Sequence, residues 1–199
     1  MTLVILLSVV SGIIGGRWVL PGEVAPYLDQ VATVALGVAL FGIGVDLGRS
    51  REAIRDIFNL GYRILLVPLG VAAGSLAGAV VAGSLTGLAP GMAAAVGAGF
   101  GWYSLSGIML ARLSGPEAGT LAFLTNVIRE MLALLLIPLV ARRLGPITAI
   151  APGGATAMDV TLPIIARSAG DDVAVIAFLS GALLSLAVPW LVPLFAVGL

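Results

Sequence analysis

One stretch of this sequence constrains the fold more than any other. Residues 151–163 read Ala-Pro-Gly-Gly-Ala-Thr-Ala-Met-Asp-Val-Thr-Leu-Pro and lie between two long apolar runs. A plain membrane helix avoids such clustered glycine, proline and hydroxyl residues, and above all it avoids a carboxylate such as Asp159. A second stretch of this kind, residues 97–108, reads Gly-Ala-Gly-Phe-Gly-Trp-Tyr-Ser-Leu-Ser-Gly-Ile. Because backbone that leaves the helix at membrane depth must be buried in protein or line a watery cavity, the two stretches predict a functional site inside a membrane.

Composition supports the membrane class. The 199 residues are 60% hydrophobic and only 10% charged, far from the balance of a soluble domain. We therefore predict an all-α polytopic membrane protein with about five to seven membrane helices and two broken or re-entrant helical hairpins. The formal charge is zero, so there is no basic surface for nucleic acid. Cysteine and histidine are absent, which excludes disulfides, thiolate zinc sites and Ser-His or Cys-His catalysis. We expect no cofactor and no enzyme.

The chain is predicted to form a single membrane domain, 1–199. Three N-terminal helices occupy 1–83, at 2–20, 31–47 and 63–81, and a short amphipathic surface helix lies at 49–59. The start lacks a charged n-region, so it predicts a retained helix and not a cleaved signal. Residues 91–140 then align without a gap on 146–195 as two repeat units. This offset places Gly99 over Gly154, Ser104 over Asp159 and Ser106 over Thr161.

Arginine placement bears on the topology through the positive-inside rule. If 92–112 and 147–167 are re-entrant hairpins, Arg142, Arg143 and Arg167 join the loop at 49–63 inside, and only Arg17 and Arg112 remain outside. If both stretches cross the membrane as broken helices, the Arg142-Arg143 pair falls outside. The hairpin arrangement fits the rule better and makes the repeat units inverted, a plan of secondary transporters. Crossing broken helices stay open as the alternative.

Two acids are the main candidates for a binding site. Asp159 could take an ammonium, a proton or Na⁺, or it could merely cap a helix start. Glu130 sits with Arg129 in the middle of a long span, where it is a candidate proton carrier. The alternative is a charge network that ties this helix to its neighbours. Asn126 shares a face with Glu130 at i, i+4 and extends the polar stripe.

The tips of the two irregular stretches supply the remaining candidates. Aromatic rings can wall a pocket or hold a cation, although Trp and Tyr are also common at the membrane interface. Free backbone groups and hydroxyls at the tips can bind a carboxylate or a cation. The predicted substrate- or ion-binding residues, besides the acids, are Trp102, Tyr103, Ser104, Ser106, Gly153, Gly154, Thr156 and Thr161. No metal site is predicted except for a possible Na⁺ at Asp159.

These residues carry a family resemblance. The motifs Phe-Gly-Trp-Tyr-Ser-Leu-Ser-Gly-Ile at 100–108, Ala-Phe at 122–123 with Arg129-Glu130, and Gly-Ala-Thr-Ala-Met-Asp-Val-Thr-Leu-Pro at 154–163 resemble those of the lysine exporter (LysO) family. The resemblance implies export of L-lysine and its analogue thialysine across the cytoplasmic membrane of a prokaryote, and it points to Asp159 as the acid on which transport depends. The chain resembles the carboxy-terminal two-thirds of full-length members, which implies a homo-oligomer or a second small membrane subunit. Asn126 stands where some relatives carry an acid.

The sequence thus predicts a multi-pass secondary transporter in the lipid bilayer that exports L-lysine in exchange for H⁺ or Na⁺. Asp159 would bind the substrate ammonium or the coupling ion, Glu130 would share that task, and Arg129 would hold Glu130 or the substrate carboxylate. One alternative is an exporter of another cationic or small amino acid. Less favoured alternatives are an intramembrane aspartyl protease using Asp46 and Asp159, whose sequence pattern is absent, and a non-transporting membrane subunit, which would leave the buried charges unexplained.

Overall fold

The computed structural model describes residues 64–198 and, before them, residues 11, 14–19, 24, 27, 30, 31 and 34. The chain divides into two compact units, Met1–Phe58 and Asn59–Leu199. Within the first unit, Gly15–Val19 forms a π-helical turn. The first two predicted N-terminal helices, the predicted surface helix at 49–59 and Asp46 lie mostly or wholly outside the described residues.

The second unit is built from helices. It contains six α-helices and two short 3₁₀ turns among its described residues: α1 Leu66–Thr86, α2 Pro90–Gly97, α3 Tyr103–Ser114, α4 Pro116–Leu144, the turns Ile147–Ile150 and Gly154–Met158, α5 Leu162–Ala169 and α6 Asp171–Gly198. Every regular element described is helical, which confirms the all-α class.

Three of these helices are long and apolar enough to cross a membrane. They are Leu66–Thr86, Pro116–Leu144 and Asp171–Val197, of 21, 29 and 27 residues. At 1.5 Å per residue each exceeds the hydrocarbon thickness of about 30 Å. Their outer faces carry large apolar side chains, among them Leu135, Leu186 and Trp190, which are 67%, 69% and 78% exposed. Such faces suit lipid, and they agree with a multi-pass membrane protein.

The two irregular stretches are interrupted helices. The first consists of α2 and α3, which have 8 and 12 residues and extend about 12 and 18 Å, so neither spans the bilayer alone. Between them residues 98–102 leave the helix, with Phe100 and Gly101 at φ of 48° and 100°. α2 packs against α1 and α6, and α3 packs chiefly against α4 and also against α6. α2 and α3 make few contacts with each other, so they are not the closely packed arms of a hairpin.

The second interruption is longer. The turns Ile147–Ile150 and Gly154–Met158 precede α5, so most of its first half is 3₁₀ and not α-helix. The offset of 55 residues recurs in the helix bounds. Gly115 and Gly170 both have left-handed φ, of 95° and 98°, and lie directly before the long helices α4 and α6.

Both interruptions belong to the core. The main cluster of buried apolar residues includes Ala98 and Phe100 from the first break and Ala155 from the second, together with Leu184 and Val188 of α6. A second cluster joins Ile137 of α4 to Ile150 and Ile165 around the second interruption, together with Ala133, Ala149, Ala157, Val173 and Ala177. The irregular backbone is therefore buried in protein, where its polar groups need partners from the protein itself.

Candidate functional site

The two breaks meet directly in the centre of the unit. The backbone N–H of Ala155 donates a hydrogen bond of 2.8 Å to the carbonyl oxygen of Phe100. Both residues are almost fully buried, at 2% and 0% exposed. The left-handed φ of Phe100 is uncommon for a residue with a side chain, and such conformations occur most often at functional sites. The crossing of the breaks is the structural centre of the candidate site.

Asn126 of α4 holds the first break. Its Oδ1 accepts a hydrogen bond of 2.7 Å from the backbone N–H of Gly101, and its Nδ2 donates to the carbonyl oxygen of Val96 at 3.2 Å. Nδ2 also contacts Ser106 Oγ at 3.4 Å and the carbonyl of Ala122 at 2.9 Å. One amide therefore joins the backbone on both sides of the interruption.

Arg129, one turn further along α4, holds the second break. Its Nε donates to the carbonyl oxygen of Pro152 at 3.4 Å, and its Nη2 donates to the carbonyl of Ala151 at 3.3 Å. These carbonyls lie just after the turn Ile147–Ile150, where a helix end leaves acceptors without partners. The guanidinium thus supplies donors, and a positive charge, where the backbone needs them.

Hydroxyl groups complete the second break. Thr156 Oγ1 donates to the carbonyl of Gly153 at 2.9 Å, and Thr161 Oγ1 donates to the carbonyl of Thr156 at 3.0 Å. Both threonines are buried. In the first break Ser106 Oγ donates to the carbonyl of Trp102 at 2.8 Å. The predicted hydroxyl residues Ser106, Thr156 and Thr161 therefore each have a backbone partner.

Of the two acids, Asp159 has a backbone partner, whereas Glu130 Oε2 has none. Glu130 is 6% exposed, and its buried Oε2 has no hydrogen-bond partner. A buried carboxylate without a hydrogen-bond partner destabilises the folded state, and within a membrane protein such a group is a candidate functional residue. Asp159 is half-buried at the end of Gly154–Met158, where its Oδ1 accepts a hydrogen bond from the N–H of Val160. Asp159 interacts electrostatically with Glu130, and both acids interact electrostatically with the Tyr103 hydroxyl. The structure thus brings Tyr103, Glu130 and Asp159 into electrostatic range of one another.

The remaining predicted residues lie around this group. Tyr103 packs edge-on against Phe123, with ring centroids 5.4 Å apart, and Trp102 packs on the main core cluster. Ser104 lines an open groove of about 510 Å³ between α3 and α4, which includes none of the other predicted site residues. Among the residues that the structure describes, no three acidic side chains form a metal-binding group.

The sequence argument missed one residue of the site, Gly181 of α6. A Cβ at this position would lie 2.5 Å from the backbone nitrogen of Met158 and 2.8 Å from the carbonyl oxygen of Ala155. Gly181 therefore lets α6 approach the second break at backbone distance. The 55-residue offset contains the signal, because Gly181 is the repeat counterpart of Asn126. At these equivalent positions, α4 contacts the first break through the Asn126 side chain, whereas α6 contacts the second break by close backbone packing at Gly181.

Comparison with known proteins finds a matching family and two similar proteins. The sequence profile of a family described as "Lysine exporter LysO" matches residues 6–196. The chain is 37% identical over 170 residues to "Lysine exporter LysO" of Escherichia coli K12, covering 85% of this chain and 56% of that protein. It is 35% identical over 157 residues to a "Putative lysine exporter" of Haemophilus influenzae, covering 79% and 80% of the two chains. The chain thus spans little more than half the length of the E. coli relative. No solved structure matches it significantly.

Proposed function

The chain belongs to the lysine exporter LysO family, and on that premise we propose that it exports L-lysine, and also thialysine, across the cytoplasmic membrane. The export is coupled to inward movement of H⁺ or Na⁺. The relatives' names supply the substrate, and the apolar helices of the second unit agree with a multi-pass membrane location.

The observation that carries the proposal is the pair of acids beside the crossing breaks. Two interrupted helices that meet in a protein interior are the plan on which many secondary transporters build a midplane site. Glu130 presents a buried oxygen with no partner, and Asp159 lies within electrostatic range of it. L-lysine carries two ammonium groups and one carboxylate, so each of the two acids has an ammonium group that it can bind.

In this mechanism Asp159 binds the side-chain ammonium of lysine or, in the empty transporter, Na⁺ or a proton. Glu130 carries the coupled proton or takes the second ammonium. Backbone groups of the breaks, at Trp102, Tyr103, Gly153 and Gly154, supply the partners of the substrate carboxylate. The hydroxyls of Ser106, Thr156 and Thr161 hold the breaks in shape through their bonds to backbone carbonyls, and Ser104 stays a proposed ligand from the neighbouring groove. Alternating exposure to the two sides then requires one long helix and its break to move against the other.

Counterflow of labelled L-lysine in proteoliposomes tests the proposal, with pH and Na⁺ gradients imposed separately. We expect counterflow that exceeds the uptake of empty liposomes and, in proteoliposomes without internal lysine, net uptake that is driven by one of the two gradients. Unlabelled thialysine should compete, whereas alanine should not. Stronger competition by another cationic amino acid would assign the substrate to that compound instead, and no counterflow of any of them would contradict the transporter proposal.

We also propose that the functional unit contains more than one chain, either a homo-oligomer or a complex with a second small membrane subunit. Gly70, Gly74 and Gly78 repeat on one face of α1, and a Cβ at any of them would meet no atom within 4 Å in the described part of the chain. Such small-residue faces allow close packing of another helix. Native mass spectrometry in detergent checks this. A fully active preparation that contains monomer alone would contradict it.

A further inference from the structure

We propose that Asn126 and Arg129 are positioning residues, one for each helix break, and act on the substrate through the backbone of the breaks. The inference rests on the proposed function for the identity of the substrate, but its geometry stands without it. It starts from the arrangement on α4. Residues three apart on a helix share a face, so a single face of α4 reaches both interruptions.

The hydrogen-bonding capacity of Asn126 is already used. An asparagine amide offers two N–H donors and one carbonyl acceptor. Oδ1 of Asn126 is taken by Gly101, and Nδ2 is shared among Val96, Ala122 and Ser106. The residue is 2% exposed. Both donors and one of the two lone pairs of Oδ1 are therefore used, and burial leaves the amide no open side with which to contact lysine.

Arg129 has the corresponding place at the second break. Its Nε and Nη2 are directed to the carbonyls of Pro152 and Ala151, while the adjacent Glu130 keeps Oε2 without a partner. The guanidinium thus binds backbone carbonyls and forms no ion pair with Glu130. This leaves the negative charge of Glu130 available to a cationic ligand or to a proton.

Two glycines give independent support. A Cβ added to Gly99 would lie 2.6 Å from Asn126 Nδ2. A Cβ added to Gly154 would lie 2.7 Å from Arg129 Nη2 and closer still to the carbonyl oxygen of Phe100. Gly99 and Gly154 occupy equivalent positions of the two repeat units, 55 residues apart. Asn126 therefore packs against Gly99 and Arg129 against Gly154. These two glycines hold equivalent positions in the two breaks, although both side chains come from α4.

The test uses reporter cysteines, which are clean because the chain has none of its own. Ala98→Cys reports on the first break and Ala157→Cys on the second, and both positions are 0% exposed. Each reporter is combined with Asn126→Ala or with Arg129→Gln in membranes, and the rate of labelling by a small thiol reagent is measured. Arg129→Lys replaces Arg129→Gln where the latter does not accumulate, because an ammonium lacks the fixed fork of the guanidinium.

We expect a crossed pattern. Asn126→Ala should speed labelling at 98 by about tenfold or more and leave 157 protected, since the loss of a buried partner exposes the backbone that it held. Arg129→Gln should do the reverse. Equal labelling of both reporters in either variant would indicate general loosening and overturn the proposal, and so would protection of both. None of these results depends on lysine. A crossed pattern in the variants, together with no lysine transport by the parent protein, would therefore refute the proposed function and leave the assignment of the two residues to the two breaks standing.

Discussion

The N–H of Ala155 donates a 2.8 Å hydrogen bond to the carbonyl of Phe100, and these two residues lie 55 positions apart, the offset of the repeat that the sequence predicts. In that predicted repeat, equivalent residues can touch each other only near the axis that relates the two repeat units. We therefore expect this axis at the crossing of the breaks. Substrate sites of repeat-built transporters lie at such repeat interfaces, which gives a structural reason why the acids gather here.

The polar residues of α4 at the site have no polar counterparts of the same kind in α6 under the predicted repeat. Asn126, Arg129 and Glu130 of α4 have Gly181, Leu184 and Ser185 of α6 as their counterparts. Ser185 Oγ contacts Met158 Sδ at 3.6 Å, so this side of α6 packs on the second break without charge. The ionisable side of the site comes from α4 and from Asp159. Because of this asymmetry, we expect a substitution in α4 and the substitution at the corresponding position of α6 to have different effects.

The first prediction concerns topology. Because α2 and α3 make few contacts with each other, we expect them to cross the membrane as one broken helix. Single cysteines at Leu85 and Arg112, both exposed, should then be labelled by an impermeant thiol reagent from opposite sides. Re-entrant hairpins, which the arginine distribution favours, require labelling of both from the same side. Arg112→Cys and Arg143→Cys, at the two ends of the region around α4, should label from opposite sides in either case and serve as the control.

A second prediction concerns the close approach of α6 to the second break. Gly181→Ala places a methyl group against the backbone of Met158 and Ala155. Backbone cannot rotate away, so we expect a loss of unfolding free energy of about 1–3 kcal/mol, the range typical of overpacking. Leu186→Ala, in the same helix, is the control, since that side chain is 69% exposed. Thermal unfolding in detergent measures both, and equal stability of the two variants would contradict the close packing described here.

The sequence predicts more of the fold than of the contacts within the candidate site. The all-α class, the three long helices and the two interruptions follow from hydropathy and from clustered Gly and Pro, because these act locally. The contacts of Asn126 and Arg129 with the two breaks do not follow, because they join residues 20 to 30 positions apart. Composition marks both residues as unusual in a membrane helix, but only the packing shows that their partners are backbone groups.

A third prediction concerns Asp159. Asp159→Asn keeps the size and removes the charge that an ammonium or a coupling cation requires, so lysine export should fall to the level of empty liposomes. Removal of a partly buried charge should leave the thermal midpoint unchanged or raise it, as expected where function opposes stability. Asp172→Asn, at an exposed position in the first turn of α6, is the control and should transport as the parent does. Undiminished export by Asp159→Asn would remove this residue from the mechanism.

The last prediction separates two roles for Glu130. If its unpartnered carboxyl carries the coupled proton, Glu130→Gln should abolish transport driven by a pH gradient while lysine-for-lysine counterflow continues, because exchange of like substrates moves no net proton. If Glu130 binds an ammonium of lysine instead, the variant should lose counterflow as well, and the half-saturating lysine concentration should rise. Glu117→Gln, in the exposed first turn of the same helix, is the matched control and should behave as the parent in both assays. Unchanged gradient-driven transport and unchanged half-saturation in Glu130→Gln would exclude both roles, and the buried oxygen would then need another explanation.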